Sequence, residues 1–309
     1  MFRVNKDVLL HTKNSNNMTL AINSPFRYAG GKFYARKLIL EHLTPHSTYI
    51  EPFAGGGSIF FAKPKVNKNW LNDIDDDLIN CYQFIKDSPH ELIASLKGEE
   101  ALKERHVYYK NEFKPQNDLE RAQRWFYLNR TSYSGIMNMK NCYWGYGDKY
   151  SMRPENWGNN ILRTSLKLKG VDLTQLDFEE VLDNIKAKDN AFLFIDPPYF
   201  NADQDKFYSC SFAKSDHFRL SEALKRNAHK FQFLLTYDNS EEIREMYEWT
   251  DNILEREWNY TINRTDDQSK EGKASDKKKG ERYKGKEIFI LNYDSPMNKI
   301  FSLFEEEYA

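Results

Sequence analysis

The run Ala191-Phe192-Leu193-Phe194-Ile195 has no polar position inside it and ends directly at Asp196. Aromatic, branched and small apolar residues in such a run predict a strand buried on both faces, as in a parallel sheet. Strand and helix patterns alternate on either side of it. Thr48-Tyr49-Ile50-Glu51-Pro52-Phe53 predicts a first strand, Ala54-Gly55-Gly56-Gly57 a turn, and Ser58–Ala62 a short helix. Asn69–Asn72 predicts a second strand that stops at Asp73, after which Ile74, Leu78, Tyr82 and Ile85 share one helical face. Upstream, Ala35, Leu38, Ile39 and Leu43 recur at helical spacing over Phe33–Leu43, a helix that should stop before Pro45. Downstream come a helix over Ser215–Asn227, a strand over Phe231–Tyr237 and a helix from Ser240 to about Trp249. Two strands close the pattern, over Glu257–Asn263 and Glu287–Tyr293. This alternation predicts an α/β fold with a mostly parallel sheet and an antiparallel final strand.

Between residues 88 and 173 the pattern changes. Leu119–Leu128 predicts a helix, with Asn117 as its N-cap and Glu120 three residues later. Asn129–Trp157 is then rich in Gly, Asn, Tyr and Trp without sustained periodicity. Irregular segments of that length are functional or disordered, and the aromatic content argues against disorder. The stretch therefore reads as an ordered binding insertion. It divides the chain into a leader (1–23), a first half-domain (24–87), the insertion (88–173) and a second half-domain (174–309).

Composition narrows the class without naming it. The 309 residues are 40% hydrophobic and 29% charged, as expected for a polar globular protein. Net charge is −1, so nucleic-acid binding would need basic residues segregated on one face. Aromatics at 15% could fill the core or stack on bases. Cys81, Cys142 and Cys210 lie far apart and form no CxxC pair, which argues against zinc or a disulfide framework and fits a reducing cytoplasm. No apolar stretch approaches the ~20 residues that would span a membrane, and residues 1–18 lack the apolar core of a signal peptide.

The chemistry begins at Asp196-Pro197-Pro198-Tyr199. Two prolines fix a stiff turn where the strand ends, at the edge where open α/β sheets bind ligands. The turn presents a carboxylate, a free carbonyl and an aromatic face, a set suited to a flat ring bearing an amine. At Phe53–Gly57 a glycine turn lets a ligand approach the backbone beside a helix N-terminus. Asp73, at the end of the next strand, stands where a carboxylate holds a ribose hydroxyl pair, although it could also cap the following helix. Together these features point to an adenosine-containing cofactor. The spacing is not GxGxxG, which weakens NAD or FAD. Tyr28-Ala29-Gly30-Gly31-Lys32 resembles a phosphate cradle in composition but lacks the P-loop pattern.

With these residues in order, the chain resembles the Dam-like (D12 class, alpha-group) DNA adenine-N6 methyltransferases. Four blocks carry the resemblance: YAGGK at 28–32, YIEPFAGGGS at 49–58, LNDIDDDL at 71–78 and FIDPPY at 194–199. A fifth, FYLNRTSYSG at 126–135, is similar to the LNRxxYxG segment that opens the family's DNA-contacting hairpin. The resemblance implies a Rossmann-like methyltransferase sheet with an inserted, mainly helical target-recognition domain. It implies S-adenosylmethionine as cofactor, contacted by Tyr28, Gly30, Gly31, Lys32, Asp73 and Asp196, in a pocket lined by Phe53, Gly55 and Gly57. It implies duplex DNA as partner, with an adenine flipped into the site because its amino group is unreachable in the stack. Asp196 and the Pro197 carbonyl would accept hydrogen bonds from that amino group, and Tyr199 would stack on the ring. Accepting those protons offsets the positive charge that develops on a poorly nucleophilic nitrogen. The sulfonium leaving group is already activated, so neither a metal nor a covalent intermediate is required.

Arg130, Tyr133, Ser134, Asn138 and Lys140 are the implied DNA contacts in the hairpin, although Tyr133 could equally pack within it. Asn138 stands where GATC-methylating members carry an arginine that reads guanine. Asparagine suits adenine instead, which puts GATC in doubt as the target. The run 265–286 includes Lys277, Lys278 and Lys279 and reads as a phosphate clamp or as a solvated loop. A cognate restriction enzyme acting independently is a further expected partner. The rival readings are an RNA adenine methyltransferase of the same fold and a non-catalytic DNA-binding relative.

Overall fold

The computed structural model describes residues 21–147, 149, 151–202, 210–259 and 284–297. Its centre is a seven-stranded sheet of order β3-β2-β1-β4-β5-β7-β6. The strands are β1 (Thr48–Glu51), β2 (Lys68–Asn72), β3 (Asp172–Thr174), β4 (Ala191–Ile195), β5 (Phe231–Asp238), β6 (Asn252–Asn259) and β7 (Lys284–Leu291). The five strands from β3 to β5 run parallel, and β7 enters antiparallel between β5 and β6.

β4 lies at the middle and is buried throughout. Its alternating side chains feed two cores, as a two-residue period requires. Phe192 and Phe194 join Tyr49, Leu71, Leu234 and Phe289 on one face. Leu193 and Ile195 join Ile50, Phe233, Leu235 and Ile290 on the other. The second face is covered by α8 (Phe178–Asp183) and the helix Lys214–Asn227, through Val181, Leu182, Leu220 and Leu224.

The first face is covered by α2 (Ser58–Ala62), α3 (Asp76–Asp87), α4 (Pro89–Ser95), α5 (Lys103–Asn111), α6 (Asp118–Thr131) and α7 (Trp157–Leu168). Most of these helices fall in residues 88–173, yet Leu92, Tyr109, Phe126 and Trp157 share one core with the sheet residues Tyr49 and Phe192. The segment therefore packs as a layer of the α/β body, and β3 straddles its boundary at 173. Asn117 caps α6 as the sequence predicts, accepting from the Glu120 amide at 2.9 Å, whereas α3 is capped by Asp75, which accepts from the Leu78 amide at 3.1 Å, and not by Asp73.

Several element boundaries differ from the sequence reading. Within Phe33–Leu43 only α1 (Arg36–Glu41) is regular helix, because turns occupy the residues before it. β6 starts at Asn252 and β7 at Lys284, earlier than 257 and 287, because pairing of Asn252 with Leu291 sets their register. β3 and α7 were not foreseen. β3 is a three-residue polar edge strand and carries no apolar pattern of its own. Among the described residues, no helix is long and apolar enough to cross a membrane.

Candidate active site

The carboxyl ends of β1, β2, β4 and β5 meet at one edge of the sheet, and a cavity opens there between the glycine turn after β1 and the turn after β4. This is the position at which open α/β sheets take ligands.

One half of the cavity is built from two glycine segments laid together. Gly55 and Gly57 have left-handed backbones (φ +45° and +61°), and Gly57 leads directly into α2. A side chain on Gly55 would lie 3.0 Å from the ring of Tyr28, which packs over the turn. The Tyr82 hydroxyl donates to the Gly55 carbonyl at 3.0 Å and fixes the turn from below. Asp73 receives the Gly55 amide at 2.8 Å on one oxygen and the Asp75 amide at 3.1 Å on the other. Burial, reinforced by Asp75, raises its carboxyl to about 6. A carboxylate tied by two amides keeps lone pairs for a hydroxyl pair, and Phe53 and Ile74 supply apolar walls. These residues fit an adenosine-bearing cofactor. Among the described residues, no group of three or more His, Cys, Asp or Glu side chains could hold a metal ion.

The other half is built on Asp196. The Lys32 ammonium lies 2.7 Å from one of its oxygens and 2.9 Å from the other, and also donates to the Gly30 carbonyl at 3.0 Å. Thr236, in β5, donates its hydroxyl to the same carboxylate at 2.7 Å. The ammonium sits 4.8 Å from the ring centroid of Tyr199, so a nitrogen already occupies the gap between carboxylate and aromatic face. Tyr199 is buried, and its hydroxyl donates to Glu287 of β7. Next along the chain, the Phe200 amide and the Asn201 side-chain amide donate to Asp238 at 3.0 and 2.7 Å. Gly31, Pro197 and Pro198 complete the rim.

The hairpin springs from the end of α6. Its arms meet at the Ser132–Trp144 bridge, with the Tyr133 amide donating to the Tyr143 carbonyl at 2.7 Å. Tyr133 and Tyr143 are exposed beside it, Lys140 is exposed at its tip, and Ser134 and Asn138 are half-buried. Ser134 adopts a left-handed backbone (φ 55°). Arg130 differs from its expected role. It is buried, and its guanidinium donates to the Pro25 carbonyl at 3.0 Å, so it braces the hairpin base against the loop before α1 and does not face outward. Asn129 does the same, exchanging hydrogen bonds with the Arg27 backbone at 3.1 and 2.8 Å. Lys277, Lys278 and Lys279 lie outside the described residues.

Sequence reasoning missed Glu51, Thr236, Asp238 and Glu287. Glu51 carried a usable signal, a carboxylate at the end of β1 inside a matched block. It is fully buried, accepts from the Tyr49 hydroxyl at 2.7 Å and the Phe60 amide at 2.8 Å, and burial raises it to about 8. Asp238 ends β5, whereas Thr236 and Glu287 lie inside β5 and β7 and carry no local signal.

Comparison with known proteins identifies the family. The family model described as D12 class N6 adenine-specific DNA methyltransferase matches residues 28–262. The Type II methyltransferase M.CviBI of Paramecium bursaria Chlorella virus NC1A is 28% identical over 226 residues, covering 72% of this chain and 85% of that protein. The Type II methyltransferase M.MjaIII of Methanocaldococcus jannaschii is 31% identical over 200 residues, covering 57% and 68%. The DNA adenine methylase of Escherichia coli (strain K12) is 32% identical over 115 residues, covering 36% and 41%.

Proposed function

The chain belongs to the D12 class of N6 adenine-specific DNA methyltransferases, and from that membership we propose the part each residue of the cavity takes. The enzyme transfers a methyl group from S-adenosylmethionine to the amino nitrogen of adenine in DNA. When bound, the cofactor supplies a methyl group activated on a sulfonium.

Asp73 takes the ribose hydroxyls, using lone pairs that the Gly55 and Asp75 amides leave open. Tyr28, Gly30, Gly31, Phe53, Gly55 and Gly57 shape the pocket around the cofactor, and Lys32 lies against it. A flipped adenine stacks on Tyr199, and its amino group donates to Asp196 and the Pro197 carbonyl. Both acceptors draw on the nitrogen's protons as its lone pair is committed, and Asp196 offsets the charge that develops. Holding ring and carboxylate in one geometry supplies in-line alignment, the largest remaining contribution.

The observation that carries this reading is the nitrogen already held between Asp196 and Tyr199. The Lys32 ammonium occupies a space that suits a positively polarised amino group.

Residues 88–173 act as the target-recognition segment. Tyr133, Ser134, Asn138 and Lys140 meet the duplex, and Lys277, Lys278 and Lys279 clamp phosphates. Asn138 in place of a guanine-reading arginine supports a target other than GATC. The Type II designation of two relatives supports a place beside a separately acting restriction enzyme.

Expression in a methylation-free host, followed by sequencing for modified adenines, tests the reading. One modified motif, lost in Asp196→Ala, is the expected result. Cofactor-binding protein that modifies no adenine would overturn it.

A further inference from the structure

β7 carries Glu287-Ile288-Phe289-Ile290-Leu291, a run of apolar residues headed by one acidic residue. Glu287 is 1% exposed. Its Cα pairs with Asp238 of β5 on one side and with Arg256 of β6 on the other. One carboxyl oxygen accepts the Tyr199 hydroxyl, and the other has no hydrogen-bond partner among the described residues. Burying a carboxyl group with half its capacity unused is costly, and an apolar residue would continue the strand without that cost. Burial pushes the group up to about 8, with Lys32 offsetting part of the rise and Asp196 and Asp238 adding to it. A site that keeps such a group needs it for something other than packing.

Its contact supplies the reason. The Tyr199 ring packs against Tyr237 with centroids 6.0 Å apart and planes tilted by 41°. The hydroxyl bond to Glu287 adds a directional restraint at the far end of the ring. The cross-strand neighbour Asp238 holds the next two residues, through the Phe200 amide and the Asn201 side chain. Two acidic side chains at one register position of the β5–β7 pair thus grip consecutive residues of the turn after β4.

We propose that Glu287 is a positioning residue for methyl transfer, which acts through the Tyr199 hydroxyl to fix the tilt of the ring on which the flipped adenine stacks. The inference rests on the reading of Tyr199 given above. Glu287 does not line the cofactor cavity, so its effect falls on the rate of transfer and leaves cofactor binding alone. Misplacement of a reacting group by an ångström costs on the order of a hundredfold in rate.

The test compares Glu287→Ala, Glu287→Gln, Tyr199→Phe and the double variant Glu287→Ala/Tyr199→Phe. Single-turnover transfer of labelled methyl from S-adenosylmethionine into genomic DNA of a methylation-free host is measured beside cofactor affinity and thermal melting. Glu287→Ala should slow transfer by roughly ten- to a hundredfold with unchanged cofactor affinity. Glu287→Gln, whose amide oxygen can still accept, should recover most of the rate. The double variant should be no slower than the slower single variant, since both lesions remove one contact. Wild-type transfer by Glu287→Ala, or losses that multiply in the double variant, would overturn the inference. If Glu287→Ala does not fold, Tyr199→Phe decides, because it removes the hydroxyl and leaves Glu287 in place; a full rate there overturns the inference equally. A wild-type protein that modifies no DNA would instead defeat the underlying reading, so the two failures are distinct.

Discussion

The Lys32 ammonium bridges both carboxylate oxygens of Asp196, at 2.7 and 2.9 Å, and so joins the loop before α1 to the turn after β4. Lys32 is 3% exposed at its side chain and Asp196 19%, so solvent does little to weaken the pair. The ammonium fixes the carboxylate in place, and the oxygen that receives only the ammonium among the described residues keeps a lone pair for a further donor. Lys32→Met leaves the carboxylate with the Thr236 hydroxyl as its remaining described partner. Hydrogen bonds to charged groups are worth about 1.5–3 kcal/mol, so methyl transfer should fall by roughly ten- to a hundredfold. The check is initial transfer rate at saturating cofactor. A faster variant would instead make Lys32 a competitor of the base.

The hairpin and the loop before α1 touch backbone to backbone at Gly135. A Cβ there would lie 2.2 Å from the Arg27 carbonyl oxygen, and the residue has φ +74°. Gly135→Ala should therefore destabilise the protein by about 3 kcal/mol, combining left-handed strain with overpacking. Gly98 is the control, with φ +81° and nothing within 4 Å of its added Cβ. Gly98→Ala should cost only about 1 kcal/mol. Denaturant melts of the two variants compare them directly; equal losses would show that the Arg27 contact does not constrain the hairpin.

Much of this site was legible because it lies on strand ends, and strand ends follow from apolar runs. Ala191–Ile195 fixed the position of Asp196, and Trp70–Asn72 fixed that of Asp73. Thr236 and Glu287 were not legible, because they lie 40 and 88 residues from the partners they reach. Only the pairing of β4 with β5 and of β5 with β7 brings them together, and no local pattern encodes that pairing. Arg130, a DNA contact implied by the resemblance, is buried together with its neighbours Asn129 and Thr131 at the end of α6, a burial that only the tertiary packing of that helix reveals. β6 was placed late because Asn252–Leu254 carries no turn signal, and its register comes from β7.

Asn138 offers a test of base reading. Its side chain accepts from the Lys140 amide at 3.0 Å, which holds it in the hairpin turn. Arginine pairs bidentately with guanine, whereas asparagine pairs with adenine. Asn138→Arg should shift the modified motif toward guanine at one position, with discrimination of about 1–3 kcal/mol. Sequencing of DNA modified by each form would reveal the change. An identical motif from both would remove Asn138 from the recognition surface.

The lysines at 277–279 can be tested through salt. Each phosphate neutralised adds about 0.9 to the slope of log affinity against log salt. Replacing all three with glutamine should flatten the slope measured on duplex DNA by roughly two to three. An unchanged slope would leave the run as a solvated loop.

Stability should pass through a minimum near pH 8, because the buried groups oppose one another in separate windows. His42 and His217 are lowered to about 4 by burial, so the unfolded chain binds more protons between about 4 and 6.5, and their contribution rises with pH there. Asp73 is raised to about 6 and opposes them in that range. Glu51 and Glu287 are each raised to about 8 by burial, so the folded protein holds protons that the unfolded chain has lost above about 4.5. Their contribution is fully present below that value and is lost as pH rises through 8. Between 6.5 and 8 the histidines no longer compensate, and the melting temperature should decline. Above 8 the sign reverses, since burial lowers Lys63 and Lys167 to about 8 and the unfolded chain then binds the extra protons. Above about 9 Cys81 and Cys142, raised by burial, hold protons that the unfolded chain loses and oppose the gain. Melting temperatures from pH 5 to 10 test the profile, and Glu51→Gln/Glu287→Gln should remove the decline between 6.5 and 8. A decline of equal depth in that variant would mean that other groups titrate across the window.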